Sequence, residues 1–270
     1  MSDILVDQSL CNGCGICVDV CPYGIFSINE GCAVPDMDAS SNCSMCGHCF
    51  AFCPRSAVNP GYQNDVSANT ASFDVNRDDI SKLVQSRRSI RNYAEQTVSK
   101  DTFREIFDII RYAPSGMNLQ TVNWLVILDS EEVQRICGLT VEWARNVCKD
   151  QPDHPLATVL SMIISMWGKG VDLISHGSPH LVIAYGDRDY PPGFTDSIIA
   201  MTQFDLVAPA FGLGTCWAGI IQIAADSSPE FSKELGLSPD EKSHYVMMAG
   251  YPLYEVKRIP QRKAANVAWR

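Results

Sequence analysis

The sequence is short of positive charge. Twenty-one Lys and Arg stand against 31 Asp and Glu in 270 residues, a formal net charge of -10. An acidic surface repels polyanions, which argues against nucleic acid or an anionic membrane as the main partner. The deficit is sharpest at the start, where residues 1–60 hold Asp3, Asp7, Asp19, Glu30, Asp36 and Asp38 against Arg55 alone. Such a face would steer a basic partner protein. Long apolar runs are also missing. None reaches the ~18 residues of a membrane span, and no basic-then-apolar leader opens the chain, so a soluble, cytoplasmic protein is expected. Disulfides are the third expected absence: the cytosol keeps thiols reduced, which leaves metal ligation to explain most of the 12 cysteines.

Nine of those cysteines precede residue 54. CNGCGICVDVCP and CSMCGHCFAFCP repeat the spacing C-x2-C-x2-C-x3-C-P, the signature of bacterial two-cluster ferredoxins. In that pattern three cysteines wrap one cubane, and the fourth, about a helical turn further on, serves the other cubane. The spacing predicts one 4Fe-4S cluster on Cys11, Cys14, Cys17 and Cys53, and another on Cys43, Cys46, Cys49 and Cys21. Zinc needs only four ligands and would not account for two identical runs of four, each followed by proline. Cys32 fits neither run and reads as a packing thiol. His48, between two ligands, reads as packing or solvent-facing.

Beyond the cysteines the composition changes. The stretch from about Val58 to Asn76 is rich in Asn, Ser, Gly and Pro without an apolar period and reads as a linker, bounded at 61–76 between an N-terminal module, 1–60, and a larger domain, 77–270. In the larger domain Ile80, Leu83 and Val84 mark a helix. Ser99 can cap a second, whose Phe103, Ile106, Phe107 and Ile110 share a face. Strands are expected near 122–128, 180–185, 215–221 and 244–250, a long helix from about Asp196 to Phe211 interrupted by Pro209, and a further helix starting at Ser228-Pro229 and stopping at Gly236. Residues 138–178, with Trp143, Met162, Met166 and Trp167, read as helical core or dimer contact, with a lid over a ligand as the other reading. The class is α+β: a sheet flanked by helices after a small cysteine-rich module.

Four segments of the larger domain carry chemistry. SRRSIRNY sets Arg87, Arg88, Ser89 and Arg91 within a few residues, a possible cradle for phosphate oxygens. Alone, such a cluster equally suits a helix C-terminus. APSGMNLQTVNW places Asn118 and Gln120 after a Pro114–Gly116 turn, and amides complement the donor and acceptor edge of a flavin. GLGTCWAG puts Gly212, Gly214 and Gly219 where missing side chains would let backbone approach a flat ring. It lacks the third glycine of a dinucleotide fingerprint and follows a helix. KRIPQRK offers Arg262 and Lys263 as a second phosphate clamp.

With all four motifs in order, residues 77–270 resemble the FMN-dependent nitroreductase family, and the whole chain resembles a ferredoxin and nitroreductase fusion. The resemblance implies an FMN-binding, mostly antiparallel sheet flanked by helices. It implies that Arg87, Arg88, Ser89 and Arg91 grip the FMN phosphate and ribityl chain. It assigns Pro114, Ser115, Gly116 and Asn118 to a turn supplied by the second subunit of a homodimer, a backbone amide among Trp217, Ala218 and Gly219 to flavin N5, and a phosphate contact to Arg262. Many members have a second glycine where this chain has Ala218-Gly219-Ile220, so which amide meets N5 stays open.

The expected activity is an oxidoreductase that takes electrons from a low-potential donor protein, through two clusters to FMN, and reduces a small organic acceptor such as a nitroaromatic or quinone. No side chain stands out as a catalytic acid or base. Two alternatives remain: a flavin-containing electron-transfer or redox-sensing protein without its own substrate, and a reductive dehalogenase on the same scaffold.

Overall fold

The computed structural model describes residues 4–62 and 75–270. The chain divides into two compact units, Met1–Asp74 with Gly116–Leu119, and Val75–Ser115 with Gln120–Arg270. Most of the expected linker, residues 63–74, lies outside the described residues.

In the first unit, β1 (Leu5–Val6) pairs antiparallel with β4 (Val58–Asn59), Leu5 opposite Asn59. The linker reading from Val58 is corrected here: Val58 is buried and its backbone closes a small sheet. Between them, β2 (Phe26–Asn29) and β3 (Cys32–Pro35) form a hairpin whose two-residue turn, Glu30-Gly31, takes positive φ at both positions. That geometry matches the right-handed twist of the strands it joins. Short helices α1 (Ile16–Asp19), α2 (Met37–Ser40) and α3 (His48–Ala51) complete the unit. Its apolar core is small: Ile4, Cys17, Ile25, Phe26, Ala33 and Val58, with five further cysteines, all of them ligand candidates, among the residues packed around it.

The second unit is built on a four-stranded antiparallel sheet of β5 (Asn123–Ile127), β6 (His180–Asp187), β7 (Gly214–Trp217) and β8 (Glu241–Gly250), in the order β5-β6-β8-β7. Successive strand residues point to opposite faces, and both faces are covered. Leu181, Ile183, Val246 and Met248 pack on one side beneath α6 (Ser130–Asp150), α7 (Ala157–Trp167) and α9 (Gly219–Ser227). Val182, Ala184, Met247 and Ala249 pack on the other beneath α5 (Lys100–Ile110) and α8 (Pro192–Val207). Helix α4 (Arg77–Ser86) precedes this core, and α10 (Pro229–Glu234) leads into β8.

The helix signals act as expected at Ser99, whose hydroxyl accepts from Thr102 N at 3.1 Å, and at Ser228, which caps α10 before Gly236 stops the chain at φ 77°. Residues 130–167 form α6 and α7, with Trp143 and Trp167 packed against the core and Met162 exposed. Two expectations need correction. The long helix starts at Pro192, not Asp196, because proline is favoured in a first helical turn. After Val207 it tightens into a 3-10 turn, Ala208–Phe211, around Pro209. The strand expected over 215–221 ends at Trp217, and Gly219 begins α9, so that apolar run is split between two elements.

His180 is fully buried between α5 and β5: its Nε2 accepts from Val98 N at 2.8 Å and its Nδ1 donates to Leu128 O at 3.0 Å. Burial lowers its pKa, and this pair of bonds requires the neutral ring. Nearby, Phe204 stacks with Phe103 and meets Phe107 and Trp124 at tilted angles, with no exposed surface. Phe204→Ala is expected to destabilise the protein by about 3–5 kcal/mol, read from its urea unfolding midpoint at constant slope. A loss under about 1 kcal/mol would show that this aromatic layer does not organise the helical face.

Candidate cluster and flavin sites

The two cysteine runs adopt one backbone shape. Gly13 and Gly15 have φ of 67° and 77°, and Met45 and Gly47, at the same places in the second run, have 53° and 75°. A Cβ at Gly13 would lie 2.2 Å from the Gly31 carbonyl oxygen, and one at Gly47 would lie 2.4 Å from Tyr62 Oη. The left-handed residues Gly15 and Gly47 stand at the starts of α1 and α3.

Each run contributes to both of two cavities. Cys11, Cys14 and Cys17 line one together with Cys53. Cys43, Cys46 and Cys49 line the other together with Cys21. Among the described residues no group of three or more His, Cys, Asp or Glu converges tightly enough to hold a single metal ion. Four thiols spaced around a chamber suit a cubane, whose irons are spread over several ångströms, better than one tetrahedral zinc. Backbone amides also reach the sulfurs of the first cavity, Ala33 N donating to Cys11 at 3.4 Å and Ala57 N to Cys53 at 3.2 Å. Such bonds favour the thiolate, and that from Ala33 lowers the Cys11 pKa. In the second cavity burial pushes the Cys49 thiol up to about 11, the cost of placing an uncompensated anion there. His48 does more than face solvent: its Nδ1 lies 3.0 Å from Cys46 Sγ. Cys32 lines neither cavity.

In the second unit α4 ends at Ser86, and residues 87–90 run out beside β7. Ser89 bridges Thr215, and Ile90 N donates to Thr215 O at 2.9 Å. This close approach explains Gly214, where a Cβ would sit 2.6 Å from Ile90 Cγ1. That glycine makes room for Ile90 against β7. Gly212 takes φ 73° to end the 3-10 turn. At Gly219 the nearest atom to an added Cβ is Tyr245 Oη at 3.7 Å, so space is open there.

Arg87, Arg88 and Arg262 line one cavity of about 520 Å³ with Val84, Gln85 and Ile259–Gln261, and no acid lines it. Ser89, Arg91 and Lys263 do not line it. Arg88 is braced by its Nη1, which donates to Gln85 O at 2.9 Å and Arg87 O at 2.5 Å. Arg87 Nη1 stands 3.3 Å from Asp205 Oδ2 in an ion pair, yet this buried nitrogen has no acceptor in hydrogen-bond geometry. Three cations around an acid-free cavity, one of them with an unfilled donor, fit the phosphate of a flavin mononucleotide.

The motif after Trp217 has its amides sorted by the fold. Ala218 N already donates to Val246 O at 2.9 Å. Gly219 opens α9, where the first amides have no intrahelical acceptor. Pro114, Ser115 and Gln120 line a different cavity, of about 260 Å³, with Phe107, Trp124 and Asp196. Ser115 Oγ accepts from Gln120 N at 2.9 Å. Gly116 and Asn118 fall in the first unit, where Asn118 Nδ2 donates to Ser44 O at 2.9 Å. Met117, Asn118 and Gln120 have φ of 50–56° without being glycine, a concentration of backbone strain of the kind found at ligand sites.

Sequence reasoning missed two buried groups. Asp205 accepts from Thr215 Oγ1 and from Trp217 Nε1 at 3.3 Å in addition to its ion pair with Arg87. The available signal was an acid in the apolar run of α8. His244, on β8, is buried with neither ring nitrogen hydrogen-bonded, and burial lowers its pKa. Nothing in its sequence neighbourhood marks it.

Comparison with known proteins follows the same division. Residues 84–251, more than half of the chain, match the family model described as the nitroreductase family, and residues 4–27 and 40–62 match two models of a 4Fe-4S binding domain. The chain is 24% identical over 145 residues to the FMN reductase (NAD(P)H) of Bacillus subtilis, covering 53% of this chain and 55% of that protein. It is 50% identical over 32 residues to Ferredoxin-2 of Desulfomicrobium norvegicum, covering 12% of this chain and 54% of that protein. The chain thus spans about half the length of these curated relatives. Among solved structures, FMN-bound nitroreductases from Bacteroides fragilis and Desulfitobacterium hafniense share its fold. The first has a TM-score of 0.55 at 20% identity, covering 71% of this chain and 96% of that one; the second has 0.55 at 21%, covering 70% and 97%. The chain belongs to the nitroreductase family and carries 4Fe-4S ferredoxin motifs ahead of its nitroreductase domain.

Proposed function

We propose that this protein is an FMN-dependent oxidoreductase in which two 4Fe-4S clusters supply electrons to the flavin, and a small organic acceptor such as a nitroaromatic or quinone receives them. The observation that carries the reading is the pair of four-thiol cavities, each lined by three cysteines of one run and the last of the other. The proposed ligands are Cys11, Cys14, Cys17 and Cys53 for one cluster, and Cys43, Cys46, Cys49 and Cys21 for the other. Clusters of this type pass single electrons, and bound FMN can gather them for two-electron chemistry.

The chain's own residues bind and orient. Arg87, Arg88 and Arg262 hold the phosphate through charge-assisted bonds, with Ser89 and Arg91 next along the chain and Lys263 adding positive charge. Gly219 is the amide for the flavin N5 edge, because Ala218 has spent its own on β8. Pro114, Ser115, Gly116, Asn118 and Gln120 form the turn that a second copy would present to the same flavin. Pro114, Ser115 and Gln120 line a cavity separate from the arginine one, which supports a homodimer with the flavin between subunits. No side chain in either cavity is assigned acid or base chemistry, so a flat, electron-poor acceptor stacked on the ring suits the site. Among the described residues no helix is long and apolar enough to cross a membrane, which fits a cytoplasmic donor protein as the source of electrons.

Protein purified without oxygen is expected to hold about eight irons per chain, four for each cluster, with about one FMN. Zinc in their place, or far less iron, would remove the proposed entry route. Cys53→Ser is expected to disturb the cluster held by the first cysteine run and leave the other, so that iron falls toward half and one EPR signal is lost. Loss confined to the second run's cluster would contradict the crossed ligand sets. Under anaerobic conditions the reduced protein is expected to turn over nitroaromatics or quinones in an FMN-dependent way. Transfer to protein acceptors alone would favour an electron carrier, and halide release from haloaromatics a dehalogenase.

A further inference from the structure

Asp205 is an acid inside an apolar helix, 3% exposed, and its partners all come from segments assigned to the flavin. Arg87 lies at the phosphate end. Thr215 sits on β7 opposite Ser89, and Trp217 ends that strand one residue before the Ala218–Gly219 pair. One carboxylate on α8 therefore meets both ends of the proposed site. A buried carboxylate is costly to keep, and an apolar residue of similar shape usually serves packing as well. Scaffold stability alone does not account for the charge.

Arginine offers five donors in a fixed fork. Fixing one edge of that fork on a buried acid fixes where the other donors point. Here Nη1 is set toward Asp205 while Arg87 also lines the cavity shared with Arg88 and Arg262. We propose that Asp205 is the positioning residue of the flavin site: it aims the free donors of Arg87 at the phosphate and ties that grip to β7, setting the distance between the phosphate end and the ring end. The inference rests on the flavin reading above.

The test compares FMN with riboflavin, which lacks the phosphate, on the full chain with its clusters intact and its flavin removed. Wild type is expected to prefer FMN strongly. Asp205→Asn keeps the shape and loses the charge, and is expected to weaken FMN binding about tenfold or more while changing riboflavin binding less than about twofold. Asp205→Glu, which keeps the charge one methylene further out, is expected to recover part of the preference, and in an Arg87→Ala background Asp205→Asn is expected to change the preference no further. Equal weakening of both flavins, or an unchanged preference, would overturn the positioning role. If Asp205→Asn does not fold, the ratio is read in the Arg87→Ala and Asp205→Asn double variant, which removes both charges, against Arg87→Ala alone: any further loss of preference there overturns the role. Failure of wild type to bind FMN would instead refute the flavin reading itself.

Discussion

Sulfur has to be gathered before the first unit can hold together. A module of about sixty residues cannot bury enough apolar surface to be secure on its own, and small domains of this kind rely on disulfides or metal. Its fully buried set is a handful of side chains, and cysteines form much of the layer around them. The left-handed turns at Gly13, Gly15, Met45 and Gly47 cost backbone freedom and expose thiols to one another. Ligation would offset both, because binding free energy at such a site is also folding free energy. Each cavity is lined by cysteines of both runs, so with the proposed ligand sets neither half would assemble alone.

The second unit solves a different problem. Its sheet is covered on both faces, so the strands are free to be apolar throughout, and polar groups inside must find partners or a purpose. His180 is satisfied by two backbone groups and fastens the segment before α5 to the residue after β5. Asp205 is paired with Arg87 through Nη1 without a well-formed hydrogen bond, and Arg87 also lines the cavity it shares with Arg88 and Arg262. Buried charge that is incompletely paired is expensive in a scaffold and useful at a site that waits for an anion.

The cysteine spacing was readable because it is a local pattern with a long-range meaning, and so were the caps at Ser99 and Ser228, where one side chain decides the outcome. The strands were marked by short apolar runs such as that near 180–185. Residues 215–221 misled because one apolar run was shared by β7 and α9, and apolarity carries no period when both faces of an element are buried. The helix start at Pro192 was less legible, since Tyr190-Pro191-Pro192-Gly193 equally suits a turn. Asp205 could not be placed from sequence, since its partners lie 118 positions before it at Arg87 and 10 and 12 positions after it at Thr215 and Trp217, and only the packing of α8 on β7 unites them.

The central claim is that the clusters feed the flavin. It is tested most directly by mixing the oxygen-free protein with a low-potential one-electron donor and following cluster EPR and flavin absorbance together. Cluster reduction that precedes flavin reduction, with flavin reduction slowed severely once the clusters are removed, is the predicted result. Flavin reduced by NADH or NADPH just as fast in protein stripped of its clusters would contradict it.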